Sequence, residues 1–379
     1  MIYLDSAAAL LALQHGSARA RPGLLVEILC CLLRVEKSGC SVEFMWVPGH
    51  SGVEGNERVD RLVKEALRKD SVEFEVLMGR SLTTSPPASQ SRLQMGKDMK
   101  DEDKLYRYKG VLYPCLMCPE DHLNALENME AREEDLMLVA YPKCGFNWMV
   151  GVIRKIITEA TGVKPETKMP PLIEFMGPEV LKALNGTPSP RFLGTHLHPD
   201  NIPASFYTKK PKMLVIFRNP KDTAVSFYHF CNNNPVLPSV KSWDSFFSDF
   251  ISGDVPWGSY FEHALAWEKR ADDPNVMLIT YEELKQDLSE GVSQISTFFG
   301  FSLTKNQVQQ IAEGSTFNAM KTSSANAHTL GNIIFRKGEI GDWKNHFTPE
   351  QSREMDEAFN KHLAGTRLGT KLNYQMHCQ

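Results

Sequence analysis

Leu136-Met-Leu-Val-Ala-Tyr-Pro-Lys-Cys-Gly-Phe-Asn-Trp148 is the stretch on which the reading of this chain turns. Its first half is a short, unbroken apolar run, the pattern of a strand buried on both faces. Pro142 and Gly145 then mark a turn, and Trp148–Thr161 continues with helix-like spacing. A buried strand that turns directly into a helix leaves backbone N–H groups facing outward at a helix N-terminus, which makes a cradle for an anion. Gly145 permits close backbone approach, and Lys143 adds a point charge. The triphosphate-binding pattern G-x-x-x-x-G-K-S/T is absent, so this is a phosphate loop of another kind.

The same alternation repeats outward from this loop. Lys212–Phe217 is a second strand, followed by Asn219-Pro220, a helix-start signal. Val276–Thr280 is a third, followed by Tyr281 and one long amphipathic stretch to Phe299, and Arg191–Thr195 is a fourth. Strands alternating with helices predict an α/β fold, a parallel sheet with helices on both faces. In such sheets ligands bind beyond the carboxyl ends of the strands. The residues just past those ends are Lys143, Arg218, Tyr281 and His196. Together they describe a site for an anionic ligand with a proton-transfer step.

On these residues the chain resembles the cytosolic sulfotransferases. Tyr141–Trp148 is similar to their 5′-phosphosulfate loop, whose usual form is YPKSGTTW. Arg218-Asn-Pro-Lys-Asp-Thr-Ala-Val-Ser226 matches the 3′-phosphate segment, and Phe335-Arg-Lys-Gly-Glu-Ile-Gly-Asp-Trp-Lys344 matches the RKGxxGDWK element. The resemblance spans residues 105–379 and is nearest to the 6B type. It implies a P-loop-like sulfotransferase fold and a sulfuryl donor, 3′-phosphoadenosine 5′-phosphosulfate (PAPS). The acceptor would be a hydroxyl of a small molecule, phenolic or iodothyronine-like. Lys143 is expected at the bridging oxygen, with Cys144, Gly145, Phe146, Asn147 and Trp148 wrapping the 5′ end. Trp148 and Phe317 would sandwich the adenine, while Tyr281 and Ser315 contact the nucleoside. Arg218 and Ser226 would hold the 3′-phosphate under Arg336, Lys337 and Gly338. His196, in Thr195-His-Leu-His198, matches the general base.

The residue types suit that chemistry. A phosphate dianion is gripped bidentately by guanidinium. A phenol, with a pKa of about 10, is a reasonable partner for a histidine base. No carboxylate cluster suggests a metal, and none is expected. The alternatives are a donor-binding relic without turnover and a nucleotide kinase, which would need a Mg²⁺ carboxylate and a triphosphate grip. His198 reads as structural or substrate-lining, and Met320 and the aromatic stretch Trp243–Phe250 read as core.

Three departures stand out. Phe146 occupies a position that is usually Thr or another small residue, and its bulk at the loop is expected to weaken donor binding. Gly194 replaces the Lys that commonly precedes the THL triplet, removing one contact near the acceptor. In Lys344–Arg353 the family's dimer pattern KxxxTVxxxE is altered at Pro349 and Arg353, so dimerisation through it is doubtful.

Upstream, Leu4–Leu10 and Trp46–Asp60 resemble the later part of a retroelement-type ribonuclease H, with Asp5 and Asp60 at two metal-binding carboxylates and His50 at a mobile histidine. The leading strands and two further carboxylates are missing, and two-metal hydrolysis needs several. Residues 1–78 are therefore expected to be a truncated, inactive ribonuclease H-like fragment with a helix over 56–69. Residues 79–104 are expected to be a linker, and 105–379 the catalytic domain.

Composition supports this division of labour. Hydrophobic residues make up 42% and charged residues 23%, ordinary for a soluble globular chain, and the net charge of −4 argues against nucleic-acid partners. No apolar run approaches a membrane span. The cysteines are too sparse for a disulfide scaffold, and the one C-x-x-C, Cys115 and Cys118, lacks a second ligand pair. A cytoplasmic protein is expected.

Overall fold

The computed structural model describes residues 2–4, 44–46, 88–163, 172–175, 177, 181, 184–317, 319 and 336–379. The chain forms two compact units, Met1–Ser85 and Pro86–Gln379. In the first, β1 (Ile2–Leu4) pairs in parallel with β2 (Phe44–Trp46), Ile2 opposite Phe44. Asp5, His50, Asp60 and the helix expected over 56–69 lie outside the described residues, as does Met320.

The second unit opens with helix α1 (Ala88–Asp98) and the antiparallel hairpin of β3 (Leu105–Tyr108) and β4 (Val111–Pro114). Helix α2 (Glu120–Leu126) leads to β5 (Leu136–Ala140), which feeds α3 (Phe146–Thr161). Next come β6 (Phe192–Thr195), α4 (Ser205–Lys209), β7 (Lys212–Phe217) and α5 (Pro220–Asn233). Helices α6 (Trp243–Ser252) and α7 (Tyr260–Glu268) precede β8 (Val276–Thr280). After it come α8 (Tyr281–Gln286), α9 (Leu288–Phe298) and α10 (Lys305–Gly314). The end of the chain adds α11 (Pro349–His362), α12 (Arg367–Lys371) and α13 (Tyr374–Cys378).

Strands β6, β5, β7 and β8 form one parallel sheet in that spatial order, with helices on both faces. Every residue of β5 is buried, as its unbroken apolar run predicts for a strand covered on both sides. The aromatic stretch also behaves as read: Phe246, Phe247 and Phe250 are buried in the core.

Two local readings are corrected. The stretch from Tyr281 to Phe299 is two helices rather than one, because Asp287 leaves helical geometry and its side chain accepts from Glu290 N, capping α9. The linker read over 79–104 contains α1, which docks. A Cβ on Gly96 would lie 2.6 Å from the Pro235 carbonyl oxygen, so only glycine allows this helix to approach so closely. Asp101 accepts from Ser239 N at 3.0 Å, and the buried Lys104 ammonium donates to Leu237 O at 3.3 Å. A polar sequence with little apolar periodicity hides a helix whose main anchor is an absent side chain.

Candidate active site

Because the sheet is parallel, the carboxyl ends of its strands share one edge. In spatial order this edge carries His196 after β6, the Tyr141–Trp148 loop after β5, Arg218 after β7 and Tyr281 after β8. At about 4.8 Å between neighbouring strands the row spans roughly 14 Å. Residues scattered over more than a hundred positions of sequence thus become neighbours through topology alone.

The loop owes its shape to two left-handed residues, Lys143 at φ 70° and Gly145 at φ 108°. Gly145 is also sterically required, since a Cβ there would meet Tyr281 Cδ2 at 3.0 Å and Ile216 Cδ1 at 3.2 Å. The Lys143 ammonium lies 4.4 Å from the Phe230 ring centroid. Burial, and after it the Arg218 charge, lower its pKa to about 8. Cys144 is buried with Sγ 3.7 Å from Thr223 Oγ1, and burial pushes its thiol up to about 12, which leaves it inert. Trp148 Nε1 donates to Ser315 O at 2.7 Å, and its ring stands edge-on to Tyr281 at 5.2 Å. Asn147 is half-buried in the first turn of α3.

Arg218 is buried, donates to Glu339 O at 2.6 Å, and lies 4.6 Å over the Tyr281 ring. Its Nε has no hydrogen-bond partner among the described residues. A buried, charged donor without an acceptor is costly, and it marks a place where an anion fits. Asn219 caps α5 by accepting from Asp222 N, with Pro220 in the first helical turn. Asp222 in turn accepts from Gly341 N at 2.8 Å and Trp343 N at 3.1 Å, tying the late segment to the start of α5. Ser226 sits half-buried further along that helix.

Arg336 and Lys337 both reach Asp342, at 2.5 and 2.6 Å. Burial alone would raise the Asp342 pKa, but these bonds hold it well below the usual carboxylate range. Gly338 has φ 70° and lies directly on the Phe317 ring, which a Cβ would overlap. Lys143, Gly145, Trp148, Arg218, Tyr281 and Ser315 are therefore in mutual reach. Arg336 and Lys337 are held by Asp342, and Phe317 packs on Gly338.

His196 is buried, with Nδ1 2.8 Å from Ala140 O. A carbonyl only accepts, so Nδ1 carries the proton and Nε2 keeps a free lone pair. Burial, and after it the nearby Lys143, lower the His196 pKa to about 4, which holds the ring neutral. Glu174 fixes the backbone here: it accepts from His196 N at 2.7 Å and from Thr195 Oγ1 at 2.9 Å, and burial raises its own pKa to about 7. His198 accepts from Asp200 N and caps the turn Pro199–Asn201, in keeping with a structural role.

The Phe146 ring does not stand in the anion cradle. It is buried, turned back toward β6, with its centroid 4.7 Å from the His196 ring. The bulk expected to weaken donor binding thus points elsewhere. Sequence reasoning missed Glu174, Asp222 as an anchor, and Trp257, whose ring lies 5.8 Å from His196 at a left-handed φ of 66°. Asp222 was legible within the Asn-Pro-Lys-Asp run; Glu174 and Trp257 carry no local pattern. Among the described residues no group of His, Cys, Asp and Glu is placed to hold a metal, and no helix is long and apolar enough to cross a membrane.

Comparison with known proteins gives concordant results. A family model described as the sulfotransferase domain matches residues 133–367, and one described as RNase H matches 18–68. The chain is 60% identical over 293 residues to zebrafish (Danio rerio) sulfotransferase 6B1, covering 76% of this chain and 99% of that protein. It is 46% identical over 288 residues to human sulfotransferase 6B1, covering 76% and 95%. Among solved structures, mouse sulfotransferase SULT7A1 complexed with PAP matches with a TM-score of 0.65 and 35% identity, covering 72% of this chain and all of the other.

Proposed function

Since the chain belongs to the sulfotransferase family, we propose that it moves a sulfuryl group from PAPS to a phenolic hydroxyl of a small molecule, with His196 as general base. The observation that carries this reading is the His196 tautomer: Nδ1–H is fixed on Ala140 O, and Nε2 remains as a proton acceptor next to the loop that holds Lys143.

The row of strand ends supports an order along the donor. Gly145 and the first turn of α3 offer backbone N–H groups to the 5′-phosphosulfate. The orphaned Arg218 Nε suits the 3′-phosphate, with Ser226 nearby on α5 and Arg336, Lys337 and Gly338 above it. Trp148, Tyr281, Ser315 and Phe317 serve the nucleoside, and Cys144 and Asn147 complete the loop. In the reaction the acceptor oxygen bonds to sulfur, the bond from sulfur to the phosphate oxygen breaks, and the acceptor proton passes to His196 Nε2. Lys143 stabilises the charge that develops on the leaving phosphate. An anionic donor beside His196 raises its pKa, so a ring neutral before binding becomes a better base once the donor is in place.

We also read the protein as cytoplasmic, since Cys115, Cys118, Cys144, Cys231 and Cys378 are free thiols. We read the Lys344–Arg353 segment as altered for family-type dimerisation, since Pro349 and Arg353 stand where the pattern has Val and Glu. Residues 1–78 are read as a ribonuclease H-like segment.

The test is turnover of PAPS with a panel of small phenols, iodothyronines included. Sulfate ester and PAP should form in equal amounts. His196→Ala should keep its affinity for PAP and lose about 10²–10⁴-fold in kcat. Full activity in that variant would overturn the assignment of the base.

A further inference from the structure

Two of the departures noted in the sequence, Phe146 and Gly194, meet in space. Gly194 lies in β6 opposite Leu138 of β5, and its backbone is outside the left-handed region. No conformational need excludes a side chain there. The exclusion is steric: a Cβ would overlap the Phe146 ring, with Cε2 at 2.8 Å and Cζ nearer still. Rings at this separation are close-packed and cannot simply give way. The Phe146 ring is 2% exposed and leans on the His196 imidazole at 4.7 Å, tilted by 59°. Phe175, at 6.5 Å, and Trp257, at 5.8 Å, also stand edge-on to this imidazole.

We propose that Phe146 and Gly194 are a matched pair that positions His196: the bare β6 position lets the Phe146 ring lie against the imidazole, holding its orientation and keeping water off it. The proposal rests on His196 being the base. Phe146 is then a positioning residue, acting through His196 rather than touching the reacting atoms. Its presence at the phosphate loop concerns the acceptor half of the reaction, while its backbone N–H remains available to the donor.

The groups that face His196 are few. Ala140 O holds Nδ1, Lys143 is the nearby cation, and Glu174 binds the backbone N–H. His263, from α7, is buried, and His198 lies 6.1 Å from it, so the remaining neighbours are imidazoles. With these unchanged, loss of the Phe146 ring acts by admitting water, which raises the His196 pKa toward its ordinary value.

The experiment is a double-variant cycle in the full chain: Phe146→Ala, Gly194→Ala and both together, with Phe146→Leu as a variant that keeps an apolar cover. PAP affinity, kcat, acceptor KM and the pH profile of kcat/KM are read for each. Gly194→Ala should lower kcat about tenfold, since small displacements of a catalytic group are costly, and should leave PAP affinity within about twofold. In the Phe146→Ala background the same change should cost less than about twofold, because the added methyl then has room. The acidic limb of the profile, set by deprotonation of His196, should move to higher pH in Phe146→Ala and stay nearly in place in Phe146→Leu. Additive losses, or an unmoved pH profile in a folded Phe146→Ala, would overturn the pairing. Loss of PAP affinity in step with kcat would overturn it too, by assigning Phe146 to the donor loop alone. An active His196→Ala would instead remove the reading on which the proposal rests, so the two failures are distinct.

Discussion

In the proposed reaction, Lys143 and His196 divide one problem, the handling of charge and of a proton at a buried site. Lys143 is bent into left-handed geometry, which aims its ammonium along the Phe230 ring rather than into bulk water. Its lowered pKa, about 8, reflects burial first and the Arg218 charge after it. On the proposed reading, a phosphosulfate bound at the loop would favour the charged ammonium. Lys143→Met, which keeps much of the length and removes the charge, should therefore lower kcat by about 10²–10³-fold. It should change acceptor KM far less. Gly145→Ala should fail differently, with the Cβ strained at φ 108° and pressed on Tyr281. Loss of donor affinity, read by PAP titration, should exceed any change in the acceptor.

At the scale of elements, the start of α5 is a junction. Asn219 caps it, Glu282 accepts from both Asn219 N and Nδ2, and Asp222 reaches across to Gly341 N and Trp343 N. The segment bearing Arg336, Lys337 and Gly338 is thereby fastened to the element that follows Arg218. Asp222→Ala would leave two backbone donors without their acceptor, at about 1–3 kcal/mol each. The expected result is a lower melting temperature and a PAP affinity reduced about tenfold, equivalent to about 1.4 kcal/mol. Unchanged PAP affinity in the folded variant would show that the late segment is held by other means. The break at Asp287 shows why elements are harder to read than motifs. The break shows in the extended backbone of Asp287 and in the capping bond its side chain accepts from Glu290 N.

At the scale of the whole molecule, several histidines are buried in neutral form: the pKa values of His122, His196 and His263 are all lowered by burial. Their folded values lie below the unfolded value, so the unfolded chain binds protons first on acidification. The stability they contribute is complete above about pH 6.5 and is lost as pH falls toward about 4. His196 alone accounts for roughly 3 kcal/mol of this loss. Glu174 acts in the opposite sense, since its raised pKa of about 7 favours the fold below 4.5 and withdraws that support as pH rises through 7. The histidines outnumber it, and the melting temperature should fall between pH 7 and pH 5; a flat profile would contradict their buried, neutral state. The division of the chain predicts further that a protein beginning at Pro86 folds and binds PAP as the full chain does. PAP at about 100 times its Kd should stabilise either protein by about 2.7 kcal/mol, and the adenosine 5′-phosphate lacking the 3′ group should do so far less.

The sequence by itself determined the strands, the phosphate loop and the family, because these depend on local periodicity and on residues fixed within a single turn. Tyr141–Trp148, Arg218–Ser226 and the Arg336–Lys344 run are legible without coordinates, and so is His196 within its THL triplet. Tertiary structure alone decided that Glu174 holds the His196 backbone, that α1 docks through Gly96, and that the Phe146 ring at the start of α3 lies where a side chain on Gly194 of β6 would stand. Those facts are relations between distant residues, set by how strands stack and by which volumes stay empty. A missing side chain leaves no periodicity to read, and its meaning appears only when another ring is found in its place.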